Sequence, residues 1–215
     1  MTKKLSPAEE FDKALAARAA DYGVGLGNEE RAGLRVYFET VMRWNPRLHL
    51  VAPCTPEEFA TRHVLESLLA LPFLPEEATV VDVGSGAGLP VIPCLVARPG
   101  LRAALYESSQ KKAVFLREVL REVGRQDAAT VVARRFEETA PPAADALTCR
   151  AIERFTEILP RLVAWASGVG TLLLYGGPAL GESLRGLTLA FEAVRAPASE
   201  QRFLYLVRRA QSPRS

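Results

Sequence analysis

Apolar residues recur at helical spacing through the first 70 positions, as at Leu34, Phe38, Val41 and Met42, and the pattern predicts helices over 6–22 and 28–44. A third is expected from Pro56 through "EEFATRHVLESLLAL", with Thr55 as its cap and proline at the first helical position. "GVGLGN" reads as the loop between the first two, with Asn28 as the expected N-cap of the second. After "PFLPEEA" the period changes. Short β-rich runs at 79–83, 102–106, 129–133, 145–149, 170–175 and 202–207 alternate with amphipathic stretches at 89–98, 110–123 and 155–166. Such alternation predicts an α/β fold with a doubly wound, mostly parallel sheet, Rossmann-like, carrying an N-terminal helical appendage. The expected division is a helical extension over 1–70 and a catalytic domain over 71–215.

Composition narrows the chemistry. The 215-residue chain is 48% hydrophobic and 24% charged, as a soluble globular protein is, and no apolar run reaches membrane-spanning length. Its start, "MTKKLSPAEEFDKAL", turns acidic before any hydrophobic segment develops, so a cytoplasmic protein with no membrane partner is expected. Cys54, Cys94 and Cys149 are widely spaced, with no C-x-x-C pair and two histidines in the chain, so no metal site or disulfide framework is expected. A monomer is the expectation. Net charge is +2, but the segment 98–135 alone carries net +5. A basic bias beside a glycine loop suits phosphates, although a solvated helix face accounts for many such runs.

The loop is "VDVGSGAGLP" (81–90), a strand ending in an acid, three glycines, then a helix. Glycines there let a ligand approach the backbone and supply positive φ where a turn needs it. A dinucleotide fingerprint places its last glycine at position 89, and that residue is Leu89. The spacing of Asp82, Gly84, Gly86 and Gly88 instead resembles motif I of class I S-adenosylmethionine-dependent methyltransferases. In such folds an acid ending the next strand binds the ribose hydroxyls, and Glu107 follows "RAALY" at that place. Asp82 is then expected to position the methionine amino group or the loop itself.

A narrower resemblance rests on several motifs in order: "WNPRLHLVAP", "RHVLESL", "DVGSGAGLPVIP", "YESSQKKAVFL", "RRFEE" and "DALTCRA". From Trp44 to Gly177 the chain resembles the ribosomal RNA small subunit methyltransferase G family, also known as glucose-inhibited division protein B. That resemblance implies methyl transfer from S-adenosylmethionine to N7 of one guanine in 16S ribosomal RNA. It also implies cofactor contacts from Gly84, Leu89, Phe136, Glu137 and Arg150, with Phe136 and Glu137 beside the adenine and Arg150-Ala151 closing the fourth strand. The sequence departs from the family at His49, Glu66, Val91 and Tyr175, where Asn, Asp, Gly and Lys are usual.

Guanine N7 has a lone pair and no proton, so no general base is needed, in keeping with a chain that shows no acid/base dyad. No Asn/Asp-Pro-Pro-aromatic turn follows the fourth strand, as exocyclic-amine chemistry would have it. Cys149 at a strand end reads more readily as a small buried hydrophobe than as a pyrimidine-attacking nucleophile. Arg150 is the catalytic candidate, positioning cofactor, O6 or phosphate. Lys111, Lys112 and Arg135 are the RNA-binding candidates, two of them opposing a helix dipole. His63, Trp44 and Phe38 read as core. Alternatives are a methyltransferase acting on a small molecule or protein, and a noncatalytic RNA-binding module.

Overall fold

The computed structural model describes residues 4–140, 143–150, 155–197 and 199–209. Ser6 opens α1 (Pro7–Arg18) with a capping box: its hydroxyl accepts from the Glu9 N–H and the Glu9 carboxylate from the Ser6 N–H. A 3-10 turn, Ala19–Tyr22, ends at Gly23 in the left-handed region. The next helix, α2 (Asn28–Leu48), continues past the expected end at 44, through Pro46, to His49 at φ 47°. Its N-cap is Gly27; Asn28 is the first helical residue, and its side chain accepts from Arg31 instead of capping the backbone. Thr55 does cap α3 (Pro56–Glu58), again with a capping box. The segment then widens into a π-helix, Phe59–Leu65, before α4 (Glu66–Leu68).

Seven strands form one sheet: β1 (Thr79–Val83), β2 (Arg102–Tyr106), β3 (Ala129–Val132), β4 (Ala146–Arg150), β5 (Thr171–Gly176), β6 (Glu192–Arg195) and β7 (Phe203–Arg208). Their order is β3-β2-β1-β4-β5-β7-β6. The first five are parallel, while β7 runs antiparallel to both β5 and β6. Between them lie α5 (Val91–Ala97), α6 (Gln110–Glu122), α7 (Phe155–Trp165) and α8 (Pro178–Gly186). The sequence pattern did not anticipate β6 or α8.

Strand alternation decides which side chains meet which layer. Val80, Leu105, Ala146, Leu173 and Leu206 face a core shared with α1, α2, the π-helix, α5 and α6. Val81, Val83, Leu147, Leu172 and Val207 face a second core under α7 and α8. The helical layer is keyed by aromatic rings: Phe11 stacks on Phe38 at 4.6 Å between centroids, and Phe59 sits edge-on to Phe38 at 5.3 Å. Trp44 packs edge-on to Phe115 of α6, while its indole N–H donates to Glu118. Phe38 and Trp44 are thus packing residues, as expected. Among the described residues no helix is long and apolar enough to cross a membrane, and no cluster of His, Cys, Asp and Glu could hold a metal.

Candidate active site

Parallel strands end together, and the site is built on those ends. After Val83 the chain turns sharply: Gly84, Gly86 and Gly88 all have positive φ (74°, 52° and 83°). A side chain at Gly88 would also put its Cβ 2.4 Å from Ile92 Cδ1. The turn is tied to the neighbouring strand, since the Gly84 and Ser85 N–H groups both donate to the Tyr106 carbonyl at 2.9 and 3.1 Å. Glu107 completes the attachment: one carboxylate oxygen accepts from the Gly86 N–H at 2.9 Å, the other from the Ser109 N–H at 2.8 Å. Each carboxylate oxygen has a second lone pair, so Glu107 can hold the loop and still accept from a ligand's hydroxyls.

Beside it lies a cleft of about 430 Å³, lined by Gly84, Glu107, Arg134, Arg135, Phe136 and Glu137 among others. Its aromatic lining, Tyr106 and Phe136, is backed by Trp165, edge-on to Phe136 at 5.4 Å and to Tyr106 at 5.3 Å, its indole N–H donating to the Thr139 carbonyl. At the rim, Glu137 pairs with Arg161 at 3.3 Å. Thus Gly84, Glu107, Phe136, Glu137 and Arg135, far apart in sequence, share one cleft. Arg134, Arg161 and Tyr106 join them; Arg134 stands next to Arg135 in sequence, whereas no sequence signal points to Trp165, which packs behind the cleft wall.

Other site candidates sit elsewhere. Asp82 is fully buried beneath the loop, its Oδ1 accepting from the Thr148 hydroxyl at 2.7 Å and its Oδ2 having no hydrogen-bond partner among the described residues. Burial pushes this carboxyl up to about 7. Leu89 is buried in the core under the helical layer and does not line the cleft. Lys111 is exposed and Lys112 half-buried in the first turn of α6, whose N-cap is Ser109.

Arg150 lies at the end of β4 but turns toward the helical layer. Its guanidinium donates to the Arg62 carbonyl at 2.6 Å, to the His63 carbonyl and Ser67 hydroxyl at 3.3 Å, and pairs with Glu66. The Arg62 and His63 carbonyls lie in the π-helical turns, and the His63 carbonyl also accepts from the Ser67 hydroxyl. Ala151, paired with Arg150 in the expected motif, lies outside the described residues. Burial, and secondarily the nearby Arg150, depress His63 to about 4, so it is a neutral packed group at pH 7. Cys149 is buried and its thiol is raised well above the usual range by burial, leaving it a poor nucleophile.

The residues suit an adenosyl sulfonium ligand: hydroxyl acceptors on Glu107, an aromatic wall at Phe136, and an orphaned buried carboxylate oxygen on Asp82 near the loop. A sheet of this order, with a glycine turn after β1 and an acid after β2, makes the chain a class I S-adenosylmethionine-dependent methyltransferase. Solved structures agree on the fold. The tRNA methyltransferase TrmK of B. subtilis superposes with a TM-score of 0.54 at 14% identity, covering 67% of this chain and 65% of that one. TYW2 of M. jannaschii, solved with AdoMet, gives 0.53 at 12% identity, covering 67% and 73%.

The particular family follows from sequence. Residues 30–202 match the family described as rRNA small subunit methyltransferase G, and the chain belongs to that family. It is 38% identical to the ribosomal RNA small subunit methyltransferase G of Xanthomonas campestris over 167 residues, 78% of this chain and 74% of that one. It is 36% identical to the protein of the same name from Sorangium cellulosum over 187 residues, 84% and 76% of the two chains.

Proposed function

We propose that the protein transfers a methyl group from S-adenosylmethionine to N7 of a guanine in the 16S RNA of the small ribosomal subunit. The observation that supports this best is a family member whose Glu107, Phe136 and Glu137 converge on one cleft beside a glycine turn. When bound, the cofactor supplies an electrophilic methyl on a sulfonium.

The chain's own residues hold and orient. Glu107 accepts the ribose hydroxyls while fixing Gly86; Phe136 offers a face and Glu137 a carboxylate to the adenine. Asp82 supports the loop from beneath, on the side where the ammonium end would lie, and Gly84, Gly86 and Gly88 keep the backbone clear. Leu89 shapes the loop from below. Since N7 carries no proton, no residue need remove one; rate enhancement rests on alignment, an effect worth roughly 7–11 kcal/mol in favourable cases. Lys111, Lys112 and Arg135, on the strand-end side of the molecule, would contact RNA phosphates. Arg150 positions from behind through Glu66.

The test uses small subunits from cells lacking this gene, labelled cofactor, and mapping of 7-methylguanine by borohydride and aniline cleavage. One cleavage site in 16S RNA is expected; tight cofactor binding without any site in ribosomal RNA would overturn the reading. The same reading expects a cytoplasmic monomer, to be checked by light scattering and fractionation.

A further inference from the structure

A second cavity, of about 230 Å³, opens at the ends of β4 and β5 and the start of β7. The cofactor cleft lies over β1, β2 and β3, so in the strand order the two cavities flank the boundary between β1 and β4. Leu69, Tyr175, Ala196 and Phe203 give the second cavity apolar walls. One charged cluster stands in it: Glu66, 4% exposed, between Arg150 and Arg202.

The two arginines differ. Both terminal nitrogens of Arg150 are committed to α4 and the π-helix, and its guanidinium lies 5.8 Å from the Tyr175 ring centroid. Arg202 is bound to Glu66 through Nε alone; among the described residues nothing accepts from its two terminal nitrogens, and its side chain is 36% exposed. A planar guanidinium fixed by its Nε presents the remaining N–H donors in a set direction. An apolar slot with one fixed cationic donor fits a flat heterocycle bearing an acceptor on its edge.

We propose that this cavity receives the target guanine and that Arg202 is a specificity-determining residue, donating to guanine O6. The inference rests on the N7 reading above and adds the atom recognised. A guanidinium fork across O6 and N7 would occupy the nucleophile, whereas donation to O6 alone leaves the N7 lone pair free. Adenine carries an amino donor where guanine has O6, so in its place the guanidinium would face another donor and stay unpaired. Arg150 is then a positioning residue: it anchors Glu66 to the helical layer, and Glu66 anchors Arg202.

The experiment compares small subunits carrying guanine or 2-aminopurine at the mapped position; 2-aminopurine keeps N7 and lacks O6. The natural protein should lose about 10- to 100-fold in kcat/KM on 2-aminopurine. Arg202→Ala should lose a similar factor on guanine and discriminate between the bases by less than about threefold, the lost hydrogen bond being the same one. Arg202→Lys should recover part of both rate and discrimination, and it carries the comparison if the alanine variant fails to fold. Affinity for S-adenosylhomocysteine should stay within about twofold throughout, because Arg202 lies outside the cofactor cleft. A variant with the natural rate overturns the inference, as does a slow variant with undiminished discrimination, which would mark a phosphate contact or a packing role. If the natural protein makes no 7-methylguanine, the N7 reading falls first and this inference with it.

Discussion

Asp82 holds one oxygen against Thr148 and leaves the other, buried, without a partner among the described residues. Burial raises its pKa from 3.8 to about 7, so the folded chain binds this proton more tightly than the unfolded chain does. The stability this group contributes is therefore full below about pH 4 and lost as pH rises through about 7. Urea unfolding of the cofactor-free protein should show that decline, a few kcal/mol at most, and Asp82→Asn should remove it. A cofactor ammonium beside the carboxyl would draw it back to the ionised form. Calorimetry in buffers of different ionisation enthalpy should then show proton release on binding near pH 6; no release would exclude that pairing.

Glu107 makes the complementary case. Glu107→Gln can still accept at one oxygen, but it leaves either the Gly86 or the Ser109 N–H unpaired and halves the acceptors offered to ribose. Affinity for S-adenosylhomocysteine should fall by about tenfold or more, with about 1–2 kcal/mol lost in stability. Both acids were legible in the sequence, because a strand ending in an acid is a local pattern. Thr148 was not singled out, since its role depends on the register that sets β4 beside β1, with Asp82 opposite Thr148. The motif also pointed to Arg150, and β4 does end there, but its direction followed from the helical layer, which no local pattern reveals.

Elements with strong periodicity were readable, and those defined by their neighbours were not. Six strands and the major helices lay within a few residues of their predicted positions. β6 (Glu192–Arg195) escaped because only Val194 of its four residues is partly buried, so alternation is too weak to register. The π-helical turns of Phe59–Leu65 have the apolar spacing of an ordinary helix; what marks them is Arg150, 85 residues or more away in sequence, meeting the Arg62 and His63 carbonyls. Phe59 is fully buried against Phe11, Tyr37 and Phe38. Phe59→Ala should cost about 3–5 kcal/mol by chemical denaturation, since neighbouring rings cannot collapse into the space.

At the scale of the molecule, the extension and the sheet share a core, with Phe11 and Leu34 in the same cluster as Val80 and Leu105. The Tyr37 hydroxyl also donates to the Ala87 carbonyl inside the glycine turn at 2.9 Å. We therefore propose that the described part of residues 1–70 is a covering layer on the catalytic domain at 71–215 and not a separately folding unit. The chain's two tryptophans report on opposite faces, Trp44 under the helical layer and Trp165 beneath the cleft. Trp44→Phe and Trp165→Phe variants, each leaving one reporter, should give coincident unfolding midpoints by fluorescence; separated transitions would divide the molecule in two.

β7 runs against its neighbours, and its first residue, Phe203, pairs with Gly176 at the rim where β5 ends. β1, β2, β4 and β5 deliver their last residues at that rim and lead on into α5, α6, α7 and α8. β7 delivers its beginning, through a short hairpin closed by the Ala196 N–H on the Arg202 carbonyl. A hairpin can lengthen or shorten without moving a parallel strand or the glycine turn. Changes in this hairpin would therefore reshape the wall of the second cavity, where we place the acceptor, while the cofactor half stays constant, which would let one scaffold change what it methylates faster than how.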